Sequence, residues 1–180
     1  MLAFDTFHHA LPYDGFLAKY GTADHKARWD RAREATVLTD DQKALLGTFV
    51  RTTNVLVLAG TWCGDCVANC PIFERFAEVA PKLIVRYLDR DEHADVQKEL
   101  QINGGNRVPV AVFFSEDGSE VARYGERTLA SYRRLVKNLV PPRPEWDDSP
   151  AAVVADWLRE FERVQWILRL SPRLRRLHQD

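Results

Sequence analysis

Apolar positions in the middle of the chain fall into short continuous runs separated by longer one-sided ones. Asn54 to Ala59, Leu83 to Leu88 and Pro109 to Phe114 are nearly unbroken apolar stretches, the pattern of strands buried on both faces. Between the first two, Val67, Ile72, Phe73, Phe76 and Val79 recur at helical spacing, predicting a helix from Cys63 to Ala80 that Pro81 ends and that Pro71 should kink. A strand, a crossover helix and another strand imply a parallel pair with a right-handed connection. Ala94 to Gln101 reads as a short helix. Glu116 to Ser119 reads as a hairpin turn into an antiparallel strand, Glu120 to Tyr124. A capping box, Thr39 with Gln42, opens a helix ahead of the first strand. Thr128 caps the last helix of this region, whose stripe of Leu129, Tyr132, Val136 and Leu139 is expected to pack on the sheet.

The flanks are helical. Tyr13 to Tyr20 and Asp24 to Ala35 are helices parted by Gly21-Thr22, and Phe4, Phe7, Leu11, Phe16, Leu17, Tyr20 and Trp29 are expected to dock on the body, with an exposed partner surface as the alternative. At the other end, Pro141 to Pro144 forms a stiff connector, and Ser149-Pro150 starts a helix striped with Val153, Val154, Trp157, Leu158, Phe161, Val164 and Leu168. That stripe is expected to cover the N-terminal helices, with a homodimer or partner surface as the alternative. The division is then residues 1–35, 36–140 and 141–180.

Composition adds boundaries. With 180 residues, 46% hydrophobic, the chain can bury a full core, and 25 basic against 26 acidic residues give no global attraction to nucleic acid. No secretory leader and no stretch of membrane-spanning length are evident, so a cytoplasmic protein without nucleic-acid or membrane partners is expected. Arg173, Arg175 and Arg176 read as solvated charge, and His8-His9 lacks a third ligand, so no metal is expected.

Candidate chemistry sits where the first strand meets the next helix, at Cys63-Gly64-Asp65-Cys66. Two thiols this far apart at a helix start can close a disulfide. The free amides there stabilise a thiolate on the first of them, so Cys63 is expected to have a lowered pKa and to act as nucleophile, with the deeper Cys66 resolving the mixed disulfide. Asp65 opposes this: a carboxylate about 6 to 8 Å from the thiolate costs about 0.5 to 2.5 kcal/mol. It therefore tunes Cys63 toward the disulfide form, which favours a reductant. Cys70 is read as an inert buried thiol, a regulatory thiol that exchanges with Cys66, or a third metal ligand.

Trp62-Cys63-Gly64-x-Cys66, Pro71, Val108-Pro109 and Gly125 ahead of Thr128, in the element order above, resemble the landmarks of the thioredoxin family, and Leu38 to Asp41 resembles its first-strand exit. The resemblance implies an α/β thioredoxin fold, a mixed sheet flanked by helices, to which helical extensions are added at both ends. It implies a redox-active Cys63-Cys66 couple needing no other cofactor, and a substrate groove of Trp62, Gly64, Val108, a cis Pro109 and Gly125. Implied partners are protein disulfides and an upstream dithiol or thioredoxin-reductase-type reductant. By this register Val57 stands in place of the family's buried acid and Tyr87 in place of its lysine partner, so the usual proton relay is missing; Asp65, Asp89 or a water are the substitutes. The competing functions are a docking or redox-sensing module without turnover and a thiolate metal site.

Overall fold

The computed structural model describes residues 2–141 and 143–180; the second proline of the expected connector lies outside them. Four strands, β1 (Thr53–Ala59), β2 (Leu83–Asp89), β3 (Val110–Ser115) and β4 (Glu120–Gly125), form one sheet in the order β2-β1-β3-β4. β1 pairs parallel with β2 and antiparallel with β3, which pairs antiparallel with β4. Every residue of β1 and β3 is buried, as their unbroken apolar runs require of central strands covered on both faces.

Helices α1 (Asp5–His9), α2 (Tyr13–Tyr20) and α3 (Ala23–Ala35) form the N-terminal layer. Thr22 caps α3, with His25 returning the bond to the Thr22 amide. Leu11 exchanges two backbone hydrogen bonds with Tyr87, covering the free edge of β2. Phe16 and Trp29 are fully buried around the Tyr87 ring, and Phe4 packs on Phe114 of β3. The aromatic residues of this segment are therefore core. No strand occupies residues 36–39, correcting the expected first-strand exit: the Thr39–Gln42 capping box starts α4 (Asp40–Gly47) instead.

The long helix α5 (Gly64–Val79) runs through Pro71 and buries Cys66, Asn69, Cys70, Ile72, Phe73 and Phe76. A short α6 (Ala94–Glu99) precedes β3, and α7 (Leu129–Leu135) follows β4 and ends in a 3-10 turn, Val136–Asn138.

Two packing expectations are overturned together. The C-terminal α8 (Pro150–Leu170) lies on the sheet and α5, not on the N-terminal helices: Trp157 stands edge-on to Phe73 and Tyr124, and Phe161 to Phe76 and Phe113. α7 is displaced, with Leu129 53% and Leu139 80% exposed. The reason is area. A 21-residue helix carrying two large aromatics buries far more apolar surface than a seven-residue one, at about 25 cal/mol per Å².

The last helix, α9 (Pro172–His178), closes the end of the molecule where β1 begins. There Gln165 of α8 donates to the Arg51 carbonyl, the Arg51 guanidinium pairs with Asp180, and Arg173 and His178 pair with Asp117 and Glu116 in the β3–β4 turn. The opposite end of β1 leads into the two thiols.

Candidate functional site

β1 is released from the sheet at Gly60, and the chain turns through Thr61 and Trp62 into α5. Cys63 is the extended N-cap residue of α5, and its own amide donates to the Gly60 carbonyl at 3.1 Å. Its Sγ lies 3.7 Å from the carbonyl of Val108, across the site. Cys66 is fully buried one turn further on, and its Sγ accepts the Gly60 amide at 3.4 Å. All three cysteines are free thiols. Cys63 is partly exposed.

The lowered Cys63 pKa expected from the helix start is corrected. In the dithiol the Cys63 thiol is pushed up, first by its hydrogen bond with the Cys66 side chain and then by burial; the amides of Cys66 and Asp65 pull it down but do not win. Burial raises the Cys66 thiol well above the ordinary range, and hydrogen bonding to Cys63 opposes this.

The groove residues come together on two sides of the thiols. On one, the Val108-Pro109 bond is cis, and Gly125 lies so close to Pro109 that a Cβ on it would sit 2.5 Å from the Pro109 carbonyl oxygen. Val110 pairs directly with Gly125, which explains how residues this far apart in sequence meet. On the other, the partly exposed Trp62 is held by a 3.2 Å bond from its Nε1 to Asp91 and by the Arg90 guanidinium, 4.5 Å from the ring centre. Gly60 makes room for the indole: a Cβ there would meet the Trp62 ring at 2.9 Å. Gly64 faces open space.

Asp65 is not a lone carboxylate. Arg127 grips it with two bonds of 3.1 and 2.6 Å, and a third, 2.9 Å, reaches the buried Glu126, which also accepts from the Tyr132 hydroxyl. Arg127 gave no signal in the sequence, because nothing local links it to a residue 62 positions away.

Behind the thiols, Val57 is buried beside Tyr87 in the parallel register. The Tyr87 hydroxyl lies 2.8 Å from a Glu74 carboxyl oxygen and 3.2 Å from the Cys70 carbonyl, which share its one hydrogen. Cys70 is fully buried one helical turn beyond Cys66 on α5. The Asp89 carboxylate accepts the amides of Asp91 and Glu92, so it caps the turn after β2.

Sequence reasoning also missed how the N-terminal helices hold the site. The Trp29 indole donates to the Thr61 carbonyl, and the Thr61 hydroxyl lies 3.1 Å from both the Tyr20 carbonyl and His25 Nδ1. Thr61 itself carried no motif.

A family profile described as thioredoxin matches residues 11–139. The chain belongs to the thioredoxin family. The match takes in α2 and α3 as well as the sheet, so the family's own segment begins ahead of residue 36. Thioredoxin-2 and thioredoxin-1 of Saccharomyces cerevisiae are each 35% identical to it, over 44% and 42% of this chain and 73% and 70% of theirs. Among solved structures, a protein of unknown function from Pseudomonas aeruginosa aligns over 94% of this chain and 98% of its own, with a TM-score of 0.70 at 20% identity. That likeness shows the fold, extensions included. This thioredoxin-family chain is thus a thiol-disulfide oxidoreductase in general terms.

Proposed function

We propose that the protein reduces disulfides of protein substrates in the cytoplasm, with Cys63 as nucleophile and Cys66 as resolving thiol. The observation that carries this reading is the asymmetry of the pair: Cys63 reaches solvent at the helix start, opposite the Val108 carbonyl, while Cys66 is sealed beneath it. The Cys63 thiolate attacks one sulfur of the substrate disulfide, forming a mixed disulfide and expelling the other sulfur as a thiolate that takes up a proton. Cys66 then gives up its proton and attacks Cys63 Sγ, closing the Cys63-Cys66 disulfide and releasing the second substrate thiolate. Two electrons pass to the substrate and are restored by an external dithiol reductant. Trp62, Gly64, the Val108 backbone, Pro109 and Gly125 form the walls against which an extended peptide lies.

The test is turnover of insulin disulfides with dithiothreitol. Wild type should catalyse it, Cys63→Ser should abolish it, and Cys66→Ser should accumulate a mixed disulfide. A wild type that binds partners without turnover would instead make the dithiol a sensor.

A further inference from the structure

The face of α8 turned away from the core is not polar. Trp166 and Ile167 are each 42% exposed and Leu170 is 70% exposed; Leu177 of α9 is also open to solvent. Arginines border them: residues 163–180 hold five arginines against one acidic side chain, Asp180, in a chain whose net charge is −1, while Glu162, one turn before Trp166, accepts the hydrogen of its indole at 3.0 Å. Arg163 is paired with Glu160, Arg173 with Asp117, and Arg175 donates to the Asp180 backbone carbonyl. Arg169 and Arg176 make no ion pair or hydrogen bond among the described residues. Arg51 already takes the Asp180 carboxylate.

The side chains share a surface. On α8, Arg163, Trp166, Arg169 and Leu170 project within a half-turn of one another at 100° per residue, opposite the buried Trp157, Phe161, Val164 and Leu168. α9 follows after the Ser171-Pro172 turn, fixed by Arg173 and His178 to the β3–β4 turn, with Leu174 buried and Arg176 and Leu177 exposed.

We propose that this C-terminal face docks the protein on an anionic lipid surface. An aromatic and branched apolar residues bordered by arginine are what an interface-lying helix presents to headgroups and the acyl boundary. Charge excludes the simplest rival, a second copy, because two such faces would oppose arginine to arginine. Nucleic acid would leave Ile167, Leu170 and Leu177 without counterparts. The geometry also suits it: α9 and the end of α8 sit where β1 begins, whereas the thiols follow its far end, so a docked molecule holds the dithiol away from the lipid. The contact is peripheral, since no helix is long and apolar enough to cross a membrane among the described residues.

The experiment is co-sedimentation of the full chain with vesicles of phosphatidylcholine alone or with roughly one-third phosphatidylglycerol, at low and high salt. Binding is expected only to the anionic vesicles and should weaken with salt. The double variant Arg169→Glu/Arg176→Glu should lower affinity by roughly a hundredfold, and Leu170→Asp by about tenfold, both with unchanged insulin-disulfide turnover and unfolding midpoint. All three positions are solvent-facing, so the variants fold. Absence of binding, equal binding to neutral vesicles, or a wild-type dimer dissolved by Leu170→Asp without vesicle binding would each overturn the proposal.

Discussion

The indole nitrogen of Trp29 donates a 2.9 Å hydrogen bond to the carbonyl of Thr61, two residues before Cys63. Both groups are buried, so this bond, beside the contacts of the Thr61 hydroxyl with Tyr20 and His25, ties the N-terminal helices to the thiol loop inside an apolar cluster. Trp29→Phe keeps most of the ring packing and strands the carbonyl, which should cost about 1 to 3 kcal/mol in urea unfolding. It should also change the pH profile of Cys63 alkylation. An unaltered profile would mean that the bond serves folding alone.

Arg127 and Asp65 form a neutralising pair beside the thiols, and breaking it from either side should move Cys63 in opposite directions. Arg127→Met leaves a free carboxylate near Cys63, raising the thiol pKa further and slowing alkylation at neutral pH by about three- to tenfold. Asp65→Asn removes the carboxylate and leaves the Arg127 guanidinium paired with Glu126 alone, and should speed it. If both variants slow the reaction, the pair acts by positioning rather than by charge.

Trp157 reaches across from α8 to Asn69 of α5, with a 2.7 Å bond to the side-chain oxygen, while the Asn69 amide holds the Asp65 carbonyl at 2.6 Å. Trp157→Phe leaves the Asn69 oxygen buried without a donor and should destabilise the fold by about 2 to 4 kcal/mol, combining the lost bond with lost volume. Calorimetry of the variant checks this, and a loss below that range would place the junction's strength in the Phe161 contacts instead.

Glu74 is pushed from 4.5 up to about 7, chiefly by burial, against the Tyr87 hydrogen bond and Arg33, with Asp14 and Glu78 adding to the rise. Since the folded value is the higher one, the folded protein holds this proton through a window where the unfolded chain has lost it. Stability should therefore fall as pH rises through that window, with the full cost present above it. Glu74→Gln, which keeps an acceptor for Tyr87, should be more stable than wild type by up to about 3 kcal/mol near pH 8, with the difference closing toward about pH 5. Denaturant titrations across that range give the answer; a pH-independent difference would assign the effect to packing.

Residues placed at Cys63, Cys66, Pro109 and Gly125 were legible because each is a local signal: a thiol pair at a strand-to-helix turn, a proline before an apolar run, a glycine before a cap. The strands of the sheet and the directions of the β1–β2 and β3–β4 pairs were legible for the same reason, since burial on two faces leaves unbroken apolar runs and a crossover helix or a short turn dictates a parallel or antiparallel neighbour, whereas the antiparallel β1–β3 pair joins segments whose connection dictates neither.

The sequence by itself determined the dithiol, its strand and helix, and the amphipathic stripes, because periodicity and backbone preference are properties of neighbouring residues. Tertiary structure alone decided which stripe won the sheet: α8 displaced α7 because competition for one apolar face is settled by total buried area. It alone decided that Arg127 neutralises Asp65 and that Trp29 grips Thr61, since long side chains choose partners only after the backbone has brought distant segments together. It also reversed the expected direction at Cys63. The helix start favours a thiolate, but a partly buried thiol bonded to its neighbour holds its proton more strongly than those amides can offset.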